Sequence, residues 1–139
     1  MINFNSETLI GQSIRKCLRH FNSYELSHIP DELKYLEADG TILLLFSNEH
    51  AVKFSANTEA FSLKIESQIK SDLTNYTDIS QNKFWQQRIG KAIQKIEFLH
   101  GKLEKPHGLK FYLENNHNFT IQYVSESDYE FDAIILRNA

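Results

Sequence analysis

Ile10-Gly11-Gln12-Ser13-Ile14-Arg15-Lys16 and Ile89-Gly90-Lys91-Ala92-Ile93-Gln94-Lys95 are two copies of one pattern, and the reading of these copies decides the fold. Each copy is followed, after a polar stretch, by a Gly-led apolar run and a turn. The first run is Gly40-Thr41-Ile42-Leu43-Leu44-Leu45-Phe46, turning through Ser47-Asn48-Glu49-His50. The second is Gly108-Leu109-Lys110-Phe111-Tyr112-Leu113, turning through Glu114-Asn115-Asn116-His117. Each turn leads into a further apolar alternation, Ala51-Val52-Lys53-Phe54 and Phe119-Thr120-Ile121-Gln122-Tyr123. A repeat of this kind describes architecture and leaves the chemistry open.

The two copies admit two readings. Ile10, Ile14, Cys17, Leu18 and Phe21 fall on a helical stripe behind a Ser6 or Thr8 cap. Ile89, Ile93, Ile96 and Leu99 nearly repeat it, yet Ile93 to Phe98 also reads as a strand with a bulge. True repeats share one structure. The second copy is read here as a strand, and the first is left open between helix and strand.

The rest is clearer. Asp39-Gly40 is a turn dipeptide, and the unbroken run Thr41 to Phe46 predicts a strand buried on both faces. Val52 and Phe54 alternate with Lys53, as in a half-buried strand. Residues 61–66 alternate strictly, and Leu109 to Leu113, Phe119 to Val124 and Ala133 to Leu136 add three more strands. The segments at 47–50 and 115–118 fit hairpin turns. Leu33, Tyr35 and Leu36, after Pro30, are a further candidate strand start. The expectation is a single, mainly β domain of two pseudo-repeated antiparallel halves, about 8–66 and 85–139. A polar segment, about 67–84, joins them. Six to eight strands and at most one or two short helices are predicted, with α+β as the alternative class.

Composition supports an ordered core. The chain of 139 residues is 41% hydrophobic and rich in Phe and Tyr, with only five Gly and two Pro, which argues against disorder and against a loop-built scaffold. The single cysteine, Cys17, has no internal disulfide partner, which fits a reducing compartment. The N-terminus lacks the basic and apolar regions of a signal peptide, and no apolar run nears the ~20 residues of a membrane span. The expectation is a cytoplasmic protein. A net charge of −3 lacks the basic footprint of a nucleic-acid binder.

The spacing of the reactive residues matches no catalytic or metal motif. His20, His28, His50, His100, His107 and His117 include no pair at i, i+2 or i, i+4. Cys17 lies on the apolar stripe, where a small buried hydrophobe is expected rather than a nucleophile. No G-x-S-x-G, P-loop or G-x-G-x-x-G occurs. The reading is therefore of no catalytic residues, no cofactor, no metal and no enzyme.

One charge pattern is not random: Ser125-Glu126-Ser127-Asp128-Tyr129-Glu130-Phe131-Asp132. In an extended chain Glu126, Asp128, Glu130 and Asp132 project from one face, and Tyr129 and Phe131 from the other. Such a ridge can meet a basic protein, raising its association rate; the alternative is a solvated loop. Trp85, in Phe84-Trp85-Gln86-Gln87-Arg88, is either an interface anchor or a residue closing the core where the second half begins. Glu126, Asp128, Glu130, Asp132, Tyr129 and Trp85 are the candidate partner-binding residues, with Phe84, Trp85 and Arg88 as the fallback hot-spot candidates.

The second half, from Trp85 through Arg88-Ile89-Gly90-Lys91-Ala92-Ile93 to Leu109-Lys110-Phe111-Tyr112-Leu113-Glu114-Asn115 and Ser125-Glu126, resembles small bacterial proteins. Some of these sit beside polymorphic toxins and act as immunity proteins. The resemblance covers about half the chain and carries over no functional residue. It implies a non-catalytic protein that binds and neutralises a cognate protein toxin, a basic nuclease domain being one candidate; the charge and the short apolar runs carry the expectation of no direct nucleic-acid or membrane partner. A small-ligand-binding domain with a cleft between the halves, and a protein that self-associates through a strand edge, are the competing expectations.

Overall fold

The structure, a computed structural model, describes residues 6–20, 37–38, 41–57, 62–68, 76–100, 106–124 and 133–139. Ten strands lie among them: β1 (Ile14–His20), β2 (Glu37–Ala38), β3 (Ile42–Phe46), β4 (Ala51–Asn57), β5 (Ser62–Gln68), β6 (Tyr76–Asp78), β7 (Ile93–His100), β8 (Pro106–Leu113), β9 (Phe119–Val124) and β10 (Ala133–Asn138). A four-residue helix, α1 (Lys83–Gln86), precedes β7, and 3-10 turns lie at Ser6–Leu9, before β1, and at Glu114–Asn116, between β8 and β9. The strands form two antiparallel sheets, ordered β5-β4-β3-β1-β6 and β2-β10-β9-β8-β7. The protein is mainly β, as its sequence predicts. The expected six to eight strands are too few because β2 and β6, of two and three residues, are too short to carry a period. The candidate strand start at Leu33 to Leu36 lies outside the described residues.

The repeat is preserved down to single hydrogen bonds. The meander β1-β3-β4-β5 corresponds to β7-β8-β9-β10. Gly11 and Gly90 hold φ of 85° and 86°, the left-handed region that a side chain resists. Those kinks let the copies cross. Ser13 bridges Ala92 in antiparallel fashion, Gly11 N–H donates to the Ile93 carbonyl, and Gly90 N–H donates to the Ile14 carbonyl, both at 2.8 Å. The turns that follow solve one problem with two chemistries. Ser13 N–H donates to Ser47 Oγ while Ser47 N–H donates to the Ser13 carbonyl. In the second half Ala92 N–H donates to Glu114 Oε1 while Glu114 N–H donates to the Ala92 carbonyl.

Both copies are strands, so the open question about the first resolves against the helix. The stripe arises from a bulge. Pairing slips between Ile14 and Lys16 in β1, and between Ile93 and Lys95 in β7. The extra residue shifts the two-residue alternation by one. Ile14 and Cys17, three apart, therefore both face the core, as do Ile93 and Ile96. Ile10, which the helical stripe would bury, is exposed.

The inner faces of the two sheets meet in one core. β3 and β4 contribute Ile42, Leu44, Phe46, Val52 and Phe54; the facing sheet contributes Leu109, Phe111, Phe119, Ile121, Ile134 and Leu136. Phe54 meets Phe111 edge to face at 6.3 Å between ring centroids. β3 is buried on both sides, as its uninterrupted apolar run predicts. Leu43 faces outward with Leu18 and Ala51, against Leu45 and Tyr76.

Gly11→Ala and Gly90→Ala meet no steric obstacle, since nothing lies within 4 Å of an added Cβ. Their cost is the positive φ, roughly 1–2 kcal/mol each. Gly108 fails for a different reason: a Cβ there would sit 2.7 Å from the Ile121 carbonyl oxygen of the paired strand. In thermal unfolding, Gly11→Ala and Gly90→Ala are expected to lower the melting temperature by similar amounts, and Gly108→Ala by more than either.

Candidate functional site

The residues expected to bind a partner separate. Glu126, Asp128, Tyr129, Glu130 and Asp132 lie outside the described residues. Trp85 is fully buried and takes the core-closing role. Asn82 caps α1, its side chain accepting from Phe84 N–H at 2.9 Å, and this turn delivers Phe84 and Trp85 inward. Their rings meet edge to face at 5.1 Å, Trp85 meets Phe119 at 5.1 Å, and Phe119 stacks on Phe111 at 4.8 Å. Any surface that used Trp85 would first have to open this cluster.

Arg88 seals it. The guanidinium lies 4.0 Å from the centre of the Phe84 ring. It donates to the Phe84 carbonyl at 2.7 Å, to the Asn118 carbonyl at 2.9 Å and to Asn138 Oδ1 at 2.7 Å. One side chain thus ties α1 to the start of β9 and the end of β10. Burial lowers its pKa, and the planar fork reaches acceptors in several directions that an ammonium would leave unmet. Arg19, also buried, donates from β1 across the core to the Ile134 carbonyl of β10. Both buried arginines tie separate elements together.

Cys17 is buried in the same core. Burial pushes its thiol well above the ordinary value; Asp78 adds to the rise and Arg19 opposes it, neither as strongly. Ser80 Oγ accepts from Cys17 N–H at 2.9 Å, standing in for a strand partner. Among the described residues no three His, Cys, Asp or Glu side chains converge as a metal site would need.

The exposed chemistry gathers where the repeats cross. In a regular strand Arg15 and Lys16 would point to opposite faces. The bulge at this point leaves both exposed and side by side. They form the shared wall of two open clefts. One, of about 300 Å³, is completed by Asp78, Ser80, Gln81, Gln86 and Ile89. The other, of about 240 Å³, is completed by Leu45, Phe46 and Glu49. The ion pairs of the described residues run elsewhere, Lys53 and Lys64 to Glu66 and Lys95 to Glu97, so Arg15 and Lys16 form no ion pair among the described residues. Beneath them Ser47 Oγ donates to Gln12 Oε1 at 2.8 Å, bracing the crossing. The sequence shows the two adjacent bases; only the bulge puts them on one face.

No helix of the described residues is long and apolar enough to cross a membrane. Comparison with protein-family models, with curated proteins and with solved structures gave no match for this chain.

Two measurements check this architecture. Arg88→Met strands buried carbonyls and is expected to cost about 2–4 kcal/mol in chemical denaturation, with no rescue by Arg88→Lys. Cys17 is expected to react with a thiol reagent at pH 8 far more slowly in the folded than in the urea-unfolded protein. Its raised folded-state pKa gives the matching linkage. The contribution is complete below the unfolded thiol's value, about 8.5, and is lost as pH climbs beyond it.

Proposed function

We propose that the protein is a non-catalytic binding partner of another protein, and that it serves as an immunity protein which neutralises a cognate toxin by covering its active site or substrate surface. The observation that supports this is the Arg15–Lys16 shelf at the crossing. Its cations are exposed and form no ion pair among the described residues, and they stand on a part of the backbone fixed by hydrogen bonds from both halves. Charge held in place in this way speeds encounter and selects partners. The flanking clefts, at about 240 and 300 Å³, lie at or below the lower limit of small-molecule pockets. They suit single side chains from a facing protein. Arg15 and Lys16 would meet carboxylates of the toxin, with Asp78 and Glu49 at the cleft margins fixing orientation. The acidic run Glu126 to Asp132 offers the opposite charge to a toxin with a basic substrate surface.

Affinity capture from the native host, with the tagged chain as bait, tests the reading. The expected result is one near-stoichiometric protein that is toxic when expressed alone and harmless when co-expressed. Recovery of the chain without such a protein overturns the immunity function. With the partner in hand, Arg15→Glu/Lys16→Glu is expected to slow association at least tenfold at low salt, with the difference shrinking as salt rises. Unchanged kinetics would remove the shelf from the interface.

A further inference from the structure

The hairpin between β3 and β4 carries a carboxylate at a position that resists one. Its loop is Ser47–Glu49: Glu49 N–H donates to the Phe46 carbonyl and Phe46 N–H donates to the His50 carbonyl, both at 3.0 Å. A three-residue loop of this kind ends on a left-handed residue, where glycine is the ordinary choice. Glu49 stands there with φ of 69°. Its equivalent in the second half is Asn116, with φ of 60°. Asparagine visits this region because its short polar side chain can hydrogen-bond locally. Glu49 gains no such relief. Its side chain is exposed and makes no hydrogen bond or ion pair among the described residues. The loop is held without it, by the two backbone bonds and by His50 N–H donating to Asn48 Oδ1 at 3.1 Å. Strain retained at a residue that the fold does not use points to a role outside the fold.

That role is set by its neighbours. Glu49 lines the smaller cleft, of about 240 Å³, together with Arg15 and Lys16. All three are exposed, and no ion pair joins the carboxylate to either cation. One opening is thus bordered by charges of both signs that do not neutralise each other. We propose that Glu49 is a specificity residue for the partner: it takes a lysine or arginine of the toxin, while Arg15 and Lys16 take a carboxylate beside that base. The inference rests on the immunity reading of this surface and adds to it the sign pattern of the partner. A purely acidic surface would meet Arg15 and Lys16 and be repelled by Glu49. A base beside an acid satisfies all three, and the repulsive element excludes other acidic proteins. The larger cleft does not offer the same pole. Its carboxylate, Asp78, already accepts from Ser80 N–H at 2.9 Å and so is engaged within the fold.

Two variants of the full chain separate strain from charge. Glu49→Asn relieves the backbone and removes the carboxylate; Glu49→Gln keeps the strain and removes the charge. With no partner present, Glu49→Asn should raise the melting temperature by about 2–4 °C. Glu49→Gln should stay within about 1 °C of the wild type. Each variant then serves as bait beside the wild-type chain in capture from the native host, and its affinity for the captured toxin is measured at low salt. Both should bind roughly tenfold more weakly than the wild type. A melting temperature that is unchanged or lower in Glu49→Asn shows that the side chain serves the fold, and overturns the inference. Weakening by Glu49→Asn but not by Glu49→Gln assigns the loss to the altered loop and overturns it too. Unchanged affinity in both variants removes Glu49 from recognition while the immunity reading stands. A wild-type bait that recovers no toxin overturns both, whatever the melting data.

Discussion

Two backbone hydrogen bonds, Gly11 N–H to the Ile93 carbonyl and Gly90 N–H to the Ile14 carbonyl, join the two halves at the point where β1 and β7 enter their sheets. Each donor comes from a left-handed glycine in one half and each acceptor from the first strand residue of the other, so neither half makes the joint alone. Once it is made, the directions of β1 and β7 are fixed, and the hairpins that follow must stack their apolar faces on each other. The Phe54–Phe111 contact and the cluster of Phe84, Trp85, Phe111 and Phe119 fill the space between. Hydrophobic burial supplies the driving force, as in any domain. The crossing decides which of the packings open to two amphipathic sheets is adopted.

The bulge beside the crossing accounts for what the sequence hid. The repeat, the hairpin turns and the doubly buried β3 were all legible, because an unbroken apolar run and strict alternation are direct images of a strand. The first copy was legible only as helix or strand, with the choice left open. Inserting one residue turns a two-residue spacing into a three-residue one, and Ile14, Cys17 and Leu18 then imitate a helix. β2 and β6 escaped for a different reason. Their pairing is specified by the strands they join, β10 and β1, and their own few residues carry no pattern.

The candidate site was legible in part. Trp85 stood out as the lone tryptophan, but its neighbours in sequence do not say which way a capped turn will face it; Asn82 and the ring of Phe119 do. Arg88 stood out only as a neighbour of Trp85 and a fallback anchor for a partner. A charged residue in a polar stretch reads as surface, and its three acceptors, on Phe84, Asn118 and Asn138, are assembled only by the fold. Arg15 and Lys16 were visible as bases and invisible as a pair, since alternation parts them and only the bulge reunites them.

Divergence between the copies shows where each half has been specialised. Leu9 and Arg88 hold the same place before their glycines; the first packs into the core, and the second has become a strap across three elements. Arg19 and Phe98 are likewise equivalent, yet Arg19 is buried and reaches into the opposite sheet, while Phe98 stays partly exposed at a sheet edge. Ser47 and Glu114 answer the same unpaired strand N–H with a hydroxyl and a carboxylate. The parts that agree, the glycines, the bulges and the inward aliphatics, are those on which the sandwich depends. The parts that differ are free of that constraint. The shelf at Arg15 and Lys16 belongs to the first half alone, since the second places Gln94 and Lys95 there, and Lys95 is held by Glu97. Symmetry built the frame, and the loss of symmetry left the first half with an exposed pair of charges that the second half does not repeat.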